Sequence, residues 1–236
     1  MSDGIYVSMN GAAARMAQLE SVSDNLANIN TPGFKAERPA FEAFLARAAG
    51  ADSPQVYTSA VQTNLDLSTG AVVHSGDPMD VLPSGKAFLA VKLGDGLAFT
   101  RNGRVQLDAS GALKVNGQPV VDVDGQPIIA PPQTAVRVEP NGTVYANNNR
   151  IAQLGLFELH GNVDRVSPTL LRPQSPEAVT TSSETLKLGQ FEIGNSSALE
   201  AAVQMVSAQR SFDTSMQALQ TYRRLDEKAV ELGRIR

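Results

Sequence analysis

Residues 5–26 read IYVSMNGAAARMAQLESVSDNL, and apolar side chains recur in this segment every three or four positions. Such spacing places side chains on one stripe of an α-helix, in the heptad pattern of a coiled coil. Ser23 is the one polar side chain in this register, and Thr31-Pro32-Gly33 predicts the end of the helix because proline cannot continue it. The apolar members of the stripe are Ile5, Met9, Ala12, Met16, Leu19 and Leu26.

The C-terminal part of the chain carries a second repeat of the same kind. Ser197-Ala198-Leu199-Glu200 has the pattern of a capping box and predicts a helix that runs from about 198 to about 230. A single amphipathic stripe must be buried against a partner. The periodicity leaves two possibilities open, because the helices could pair within a monomer or pack against other copies. The stripe consists of Ala198, Ala202, Met205, Gln209, Phe212, Met216 and Leu219.

Short β-prone segments and tight turns fill the middle of the chain. Asx-Gly pairs supply the positive φ angles that hairpin turns require, and short strands between them indicate an antiparallel β domain. Residues 40–49 are ambiguous between a short helix and a bent strand. The five pairs are Asp95-Gly96, Asn102-Gly103, Asn116-Gly117, Asp124-Gly125 and Asn141-Gly142.

The predicted fold class is therefore mainly β with a two-helix coiled coil, in which N- and C-terminal α-helices bracket a central antiparallel β domain. We expect an N-terminal helical segment at 1–35 that pairs with 197–232, and a β domain at 71–171. Residues 36–70 and 172–196 are expected to be extended connections, and 197–236 forms the C-terminal helical segment.

Composition and motifs argue against several classes of function. The net charge is −4 with no cluster of basic residues, which speaks against nucleic-acid binding. The chain has no cysteine, its two histidines stand alone, and it carries no nucleotide-binding or hydrolase motif, so we expect neither an enzyme nor a cofactor or metal. No run approaches the ~18 apolar residues of a membrane span, and no cleaved signal peptide is visible.

Three motifs resemble those of flagellar basal-body rod and hook proteins. Met205–Phe212, MVSAQRSF, resembles the C-terminal helix motif of that family. Ser75–Val81, Phe99–Gly103 and Leu107–Leu113 are similar to motifs of its β domain, and the opening Gly4-Ile5-Tyr6 is most similar to its proximal-rod members. The N-terminal signature lies in SVSDNLANINTPGFK at 21–35, with its centre at Asn25, Leu26, Ala27, Asn28, Thr31, Pro32, Gly33 and Phe34.

The resemblance implies a structural subunit of the proximal rod in the periplasm-spanning basal body. Its terminal helices would form an antiparallel coiled coil and polymerise with copies of the chain and with neighbouring rod subunits, to build part of the drive shaft and export channel. The flagellar type III apparatus would export the subunit without a cleaved signal, and no small-molecule substrate or cofactor is implied. The alternatives are a distal-rod or hook-type subunit and, from another class, a free carbohydrate-binding β domain.

Overall fold

The computed structural model describes residues 2–46, 55–94 and 96–234, and the side chains of 9–38, 64–94, 96–225 and 227–228. The chain forms two compact units, one of residues 1–27, 37–64 and 197–236 and the other of residues 28–36 and 65–196. We call them the helical unit and the β unit. Two long helices packed together bracket a central antiparallel β region, as the predicted fold class requires.

The helical unit contains the two long helices and one pair of long strands. Helix α1 spans Ser2–Ala27 and helix α2 spans Ala198–Arg234. Strands β1, Glu37–Ala46, and β2, Gln55–Leu65, form a two-stranded sheet of their own. The ambiguous segment 40–49 is thus a strand as far as Ala46, and its residues 47–49 lie outside the described part of the chain.

The β unit consists of short antiparallel strands and one short 3₁₀ helix at Pro176–Ala178. Several of the strands lie within 172–196, where the sequence predicts an extended connection. The strands are β3 Val72–His74, β4 Val81–Pro83, β5 Ala87–Leu93, β6 Gly96–Thr100, β7 Gln106–Leu107, β8 Leu113–Val115, β9 Gln118–Pro119, β10 Val136–Val138, β11 Thr143–Ala146, β12 Asn149–Gln153, β13 Leu156–Leu159, β14 Val163–Ser167, β15 Leu170–Pro173, β16 Val179–Thr181, β17 Leu186–Leu188 and β18 Gln190–Glu192.

A six-stranded antiparallel sheet in the order β14-β15-β6-β5-β13-β16 is the centre of the β unit. Side chains alternate across strand β5, so that Leu89 and Val91 belong to one apolar cluster while Phe88 and Ala90 belong to another. Because both faces of β5 are covered, its central residues are apolar without interruption.

Two Asx-Gly pairs show how differently the same dipeptide is used. Asn116 and Gly117 both have positive φ, 53° and 76°, and form the two-residue turn between β8 and β9, as predicted. Gly103 instead meets strand β4, where an added Cβ would lie 1.5 Å from the carbonyl oxygen of Val81. It is required there for close approach of two backbones rather than for a turn. Asp95, of the predicted turn at 95–96, lies outside the described residues.

Candidate assembly interface and anchoring cluster

The two terminal helices pack together through small side chains. Ala12 of α1 and Ala201 and Ala208 of α2 are buried. A Cβ added to Gly11 would lie 3.9 Å from Oγ of Ser215, which places the two backbones close together at this level. Small residues at the contact bring the helix axes toward the short end of the usual range of separations.

On α1, the predicted stripe is divided between two faces. Ala12 is buried and Leu19 and Leu26 are half-buried, whereas Met9 and Met16 are exposed to about half of their surface. The side chain of Ile5 lies outside the described side chains. The predicted stripe therefore consists of two sets of positions, each spaced by seven residues. The set with Ala12, Leu19 and Leu26 is buried or half-buried, whereas the set with Met9 and Met16 is exposed.

On α2, the face toward α1 differs by one residue from the predicted stripe. Ala198, Ala202 and Gln209 are exposed, while Ala201 and Ala208 are buried in their place. The repeat through 201, 205, 208, 212, 215 and 219 shares every second position with the predicted one, so the two frames have similar apolar content. The close approach of the two helices selects the frame that contains Ala201 and Ala208, because alanine is small enough to be buried there. The predicted members that stay half-buried are Met205, Phe212, Met216 and Leu219.

The opposite face of α2 exposes three large apolar side chains. Leu199, Val203 and Val206 are 76%, 62% and 51% exposed. Their spacing of four and three residues puts them on one stripe, which we call the outer stripe. Contiguous exposed apolar side chains of this kind are typical of protein–protein contact surfaces.

Asn25 of the N-terminal signature joins α1 to strand β1. Its Oδ1 accepts a hydrogen bond from the N–H of Glu37 at 2.9 Å, and its Nδ2 donates to the carbonyl oxygen of the same residue at 2.8 Å. The buried amide therefore satisfies both backbone groups of the first strand residue, as a neighbouring strand would. This explains how α1 accommodates a buried polar side chain at this point.

The signature residues from Asn28 to Phe34 lie in the β unit, whereas Leu26 and Ala27 belong to the helical unit. The hydroxyl of Thr31 donates to Oδ1 of Asn28 at 3.1 Å, and its N–H donates to the carbonyl of Asn28, which closes a turn. Gly33 follows with φ 73°, and a Cβ there would lie 2.1 Å from the amide nitrogen of Asn102. Phe34 is fully buried, with the guanidinium of Arg165 4.6 Å from its ring centroid.

Lys35, Arg101 and Glu192 form a buried ionic cluster, which we call the Glu192 cluster. Nζ of Lys35 donates to Oε1 of Glu192 at 2.6 Å, while Nε and Nη2 of Arg101 donate to Oε2 at 3.0 and 2.8 Å. The N–H of Gly70 also donates to Oε1, at 2.8 Å. The carboxylate thus accepts at both oxygens and is itself 0% exposed.

The charges of the cluster control one another's protonation. Burial favours the neutral form of Glu192, but the charges of Lys35 and Arg101 and the hydrogen bonds to the carboxylate outweigh it and hold its pKa below the usual value. Burial lowers the pKa of Lys35 although Glu192 and its hydrogen bond oppose this, and the nearby charge of Arg101 adds to the lowering. The carboxylate is therefore ionised except in acid.

Asn195 and Gly194 connect the two chain segments that adjoin the helices. Oδ1 of Asn195 accepts from the N–H of Ala36 at 2.6 Å, and its Nδ2 donates to the carbonyl of Asp66 at 2.7 Å. A Cβ added to Gly194 would lie 2.9 and 2.8 Å from the carbonyl oxygens of Asn28 and Ile29. The segments 28–36 and 189–196 are thus in backbone contact within the β unit.

The comparisons with known proteins converge on these same two regions. Residues 5–35 match the family described as "Flagella basal body rod protein", and residues 189–232 match the "Flagellar basal body rod FlgEFG protein C-terminal". The chain belongs to the flagellar basal-body rod family. This is a family of structural proteins, and the assignment argues against the alternative of a free carbohydrate-binding domain.

Similarity to rod-family proteins extends over nearly the whole chain. The FlgF proteins of Escherichia coli K12 and Rhizobium meliloti 1021 are 28% and 29% identical, over 93% and 98% of both chains. FlgG of Bacillus subtilis 168 is 25% identical over 99% of this chain and 100% of the relative.

No helix among residues 2–46, 55–94 and 96–234 is long and apolar enough to cross a membrane. The same residues contain no group of three side chains suited to hold a metal ion.

Sequence reasoning did not identify the Glu192 cluster of this rod-family chain as a site. Lys35 and Arg101 stand inside the motifs that carry the resemblance, but their partner Glu192 lies far away in the chain. The available signal was the segment Phe191-Glu192-Ile193, in which one acidic residue stands between two apolar ones in a β-prone stretch. In an alternating strand the charged residue normally faces solvent, so this pattern alone does not distinguish Glu192 from a surface residue.

Proposed function

We propose that this chain is a subunit of the proximal rod of the flagellar basal body, and that it assembles with copies of itself and with neighbouring rod subunits through its terminal helices. The observation that carries the proposal is that both family matches cover these helices and the segments next to them. FlgF relatives that align over nearly the full length of both chains support the choice of the proximal rod. A distal-rod subunit is the alternative, because FlgG relatives also align end to end.

The surface available for this assembly is the outer stripe. Small residues already occupy the contact between α1 and α2, which leaves Leu199, Val203 and Val206 without cover in the single chain. Met9 and Met16 of α1 are exposed as well. Burial of a large aliphatic side chain contributes about 1.5–3 kcal/mol, so covering the outer stripe would stabilise a subunit contact substantially.

The experiment places a charge on the outer stripe. We expect cells that carry only the Val203→Asp variant to be non-motile and to lack complete rods, because an unpaired carboxylate would be buried at the subunit contact. The matched control is Val123→Asp, which changes a similarly exposed valine in a turn of the β unit. Circular dichroism of the purified variants checks that both remain folded. Normal motility and complete rods in the Val203→Asp cells would contradict the proposal.

Export by the flagellar type III apparatus is a further part of the proposal. It is supported by the family assignment, because a rod subunit must reach the growing rod. We expect the chain to remain in the cytoplasmic fraction of cells with an inactive flagellar export apparatus and to leave it in cells with an active one. Equal release from both cell types would contradict this route. The position of a tagged chain in tomograms of basal bodies distinguishes the proximal rod from the distal rod.

A further inference from the structure

The segment after α1 and the segment before α2 are fastened to each other inside the β unit. The N–H of Gly33 donates to the carbonyl oxygen of Glu192 at 2.8 Å, and the N–H of Ala36 donates to Oδ1 of Asn195 at 2.6 Å. Gly194 lies so close to Asn28 that no Cβ would fit between them. These contacts hold the residues that follow Ala27, the end of α1, next to the residues that precede Ala198, the start of α2.

Glu192 contributes both its backbone carbonyl and its carboxylate to these contacts. Its backbone carbonyl binds the N-terminal segment at Gly33, and its carboxylate binds Lys35 of the same segment at 2.6 Å. The other carboxylate oxygen binds Arg101, whose Nη1 donates to the carbonyl oxygens of Gly85 and of Ala87, the first residue of strand β5. One side chain thus links both connecting segments to the central sheet.

We propose that Glu192 and Lys35 are positioning residues that hold the end of α1 beside the start of α2 before any subunit contact forms. This inference rests on the proposed function, because it explains how the assembling helix pair is prepared in the single subunit. Bringing two chain segments together costs closure entropy that grows with the length of the flexible connection. A fixed crossing of 28–36 and 189–196 removes most of that cost and raises the effective concentration of one helix at the other.

The apolar core alone does not explain this arrangement. None of the buried residues of the two apolar clusters of the β unit belongs to 28–36 or to 189–196. The segment 28–36 is held instead by Phe34, by the hydrogen bonds to Glu192 and Asn195, and by the Lys35 ion pair. Directional bonds of this kind fix one register between the two connections, whereas apolar contacts alone would permit sliding.

The test measures helix pairing in dilute monomer with an engineered disulfide. The chain has no cysteine, so the double substitution Gly11→Cys and Ser215→Cys introduces a single pair. The two positions lie close enough for a disulfide, since Cβ of residue 11 and the γ atom of residue 215 would be 3.9 Å apart. The initial rate of disulfide formation with oxidised glutathione then reports how often α1 meets α2.

In this background we expect Lys35→Met to slow disulfide formation by about tenfold, because the N-terminal connection loses its ion pair with Glu192 and is held less firmly. Asn195→Ala cuts the bond to Ala36 without altering any charge and should slow the reaction in the same direction. Lys187→Met, which removes an exposed lysine from strand β17, is the matched control and should leave the rate unchanged. Hydrogen exchange of the amides of β5 reports whether the β unit remains folded.

Slower disulfide formation with protected β5 amides supports the proposal. If Lys35→Met leaves the β5 amides unprotected, the rate measured for Asn195→Ala is the one that tests the proposal. Unchanged rates with protected β5 overturn it. The assay contains no rod, so a failure of this proposal can be distinguished from a failure of the proposed function. Normal rods with a charge on the outer stripe would contradict assembly through that stripe and leave the positioning role intact.

Discussion

Replacing Glu192 by glutamine should destabilise the β unit severely. The carboxylate accepts from Lys35 and Gly70 on one oxygen and from Arg101 on the other, so a glutamine NH₂ would face donors in either orientation. Two positive side chains, 1% and 3% exposed, would also lose the carboxylate that both of them bind. Removing one partner from a buried ion pair costs about 3–5 kcal/mol. That is a large part of the roughly 5–15 kcal/mol that stabilise an ordinary domain.

The assay is urea denaturation at pH 7, followed by circular dichroism because the chain has no tryptophan. Hydrogen exchange of β5 amides assigns the change to the β unit. The matched control is Glu177→Gln, the same substitution at an exposed position of the 3₁₀ helix, which should change the free energy of unfolding by less than about 0.5 kcal/mol. A loss below about 1 kcal/mol for Glu192→Gln would refute the reasoning, because it would mean that the carboxylate carries little of the cluster's stability.

The pH dependence of the same pair of proteins provides a second check. The pKa of Glu192 is lower in the folded than in the unfolded chain, because nearby positive charges and hydrogen bonds outweigh its burial. Its contribution is therefore complete above the unfolded pKa of about 4.3 and is lost as the pH falls through the folded value. The difference in unfolding free energy between wild type and Glu192→Gln should be constant near neutral pH and should shrink in acid. A difference that grows in acid would contradict this sign.

Three further substitutions test other parts of the structure. Gly33→Ala should cost more than about 2 kcal/mol, because it combines a positive φ with a Cβ 2.1 Å from the backbone of Asn102, and urea denaturation measures the loss. Asn25→Ala removes both hydrogen bonds to Glu37 and should raise hydrogen exchange at that amide, at a cost of about 1–3 kcal/mol. Ala208→Leu overpacks the contact with α1 and should lower the thermal stability of the helices by about 1–3 kcal/mol, whereas the same change at exposed Ala202 should be nearly neutral.

The helices and the β region could be predicted because their signals are local. A heptad stripe, a proline after the helix and an Asn-Gly pair each act within a few residues, and α1, α2 and the turn at Asn116-Gly117 follow from them. The strand at Glu37–Ala46 was ambiguous because its alanines fit a helix as well as a strand. What makes it a strand is pairing with β2, which comes later in the chain and is not visible in the local pattern.

The details of the site depend on contacts that the local pattern does not contain. The face of α2 toward α1 could not be fixed, because two frames one residue apart share Met205, Phe212 and Leu219. The Glu192 cluster combines residues from three distant parts of the chain, and each of them alone resembles an ordinary charged surface residue. Only their common burial distinguishes them, and burial depends on the whole fold.

The two kinds of contact in this chain suit different tasks. Within the subunit, Asn25, Glu192 and Asn195 hold backbone groups through directional bonds, which specify one arrangement of the connecting segments. On the outer stripe, Leu199, Val203 and Val206 offer apolar area without directional groups. Apolar contacts tolerate small differences in geometry, and we infer that this tolerance would suit the proposed contact with neighbouring subunits. Loss of a polar side chain in the first set should therefore damage folding most, whereas a polar substitution in the second set should damage the proposed assembly most.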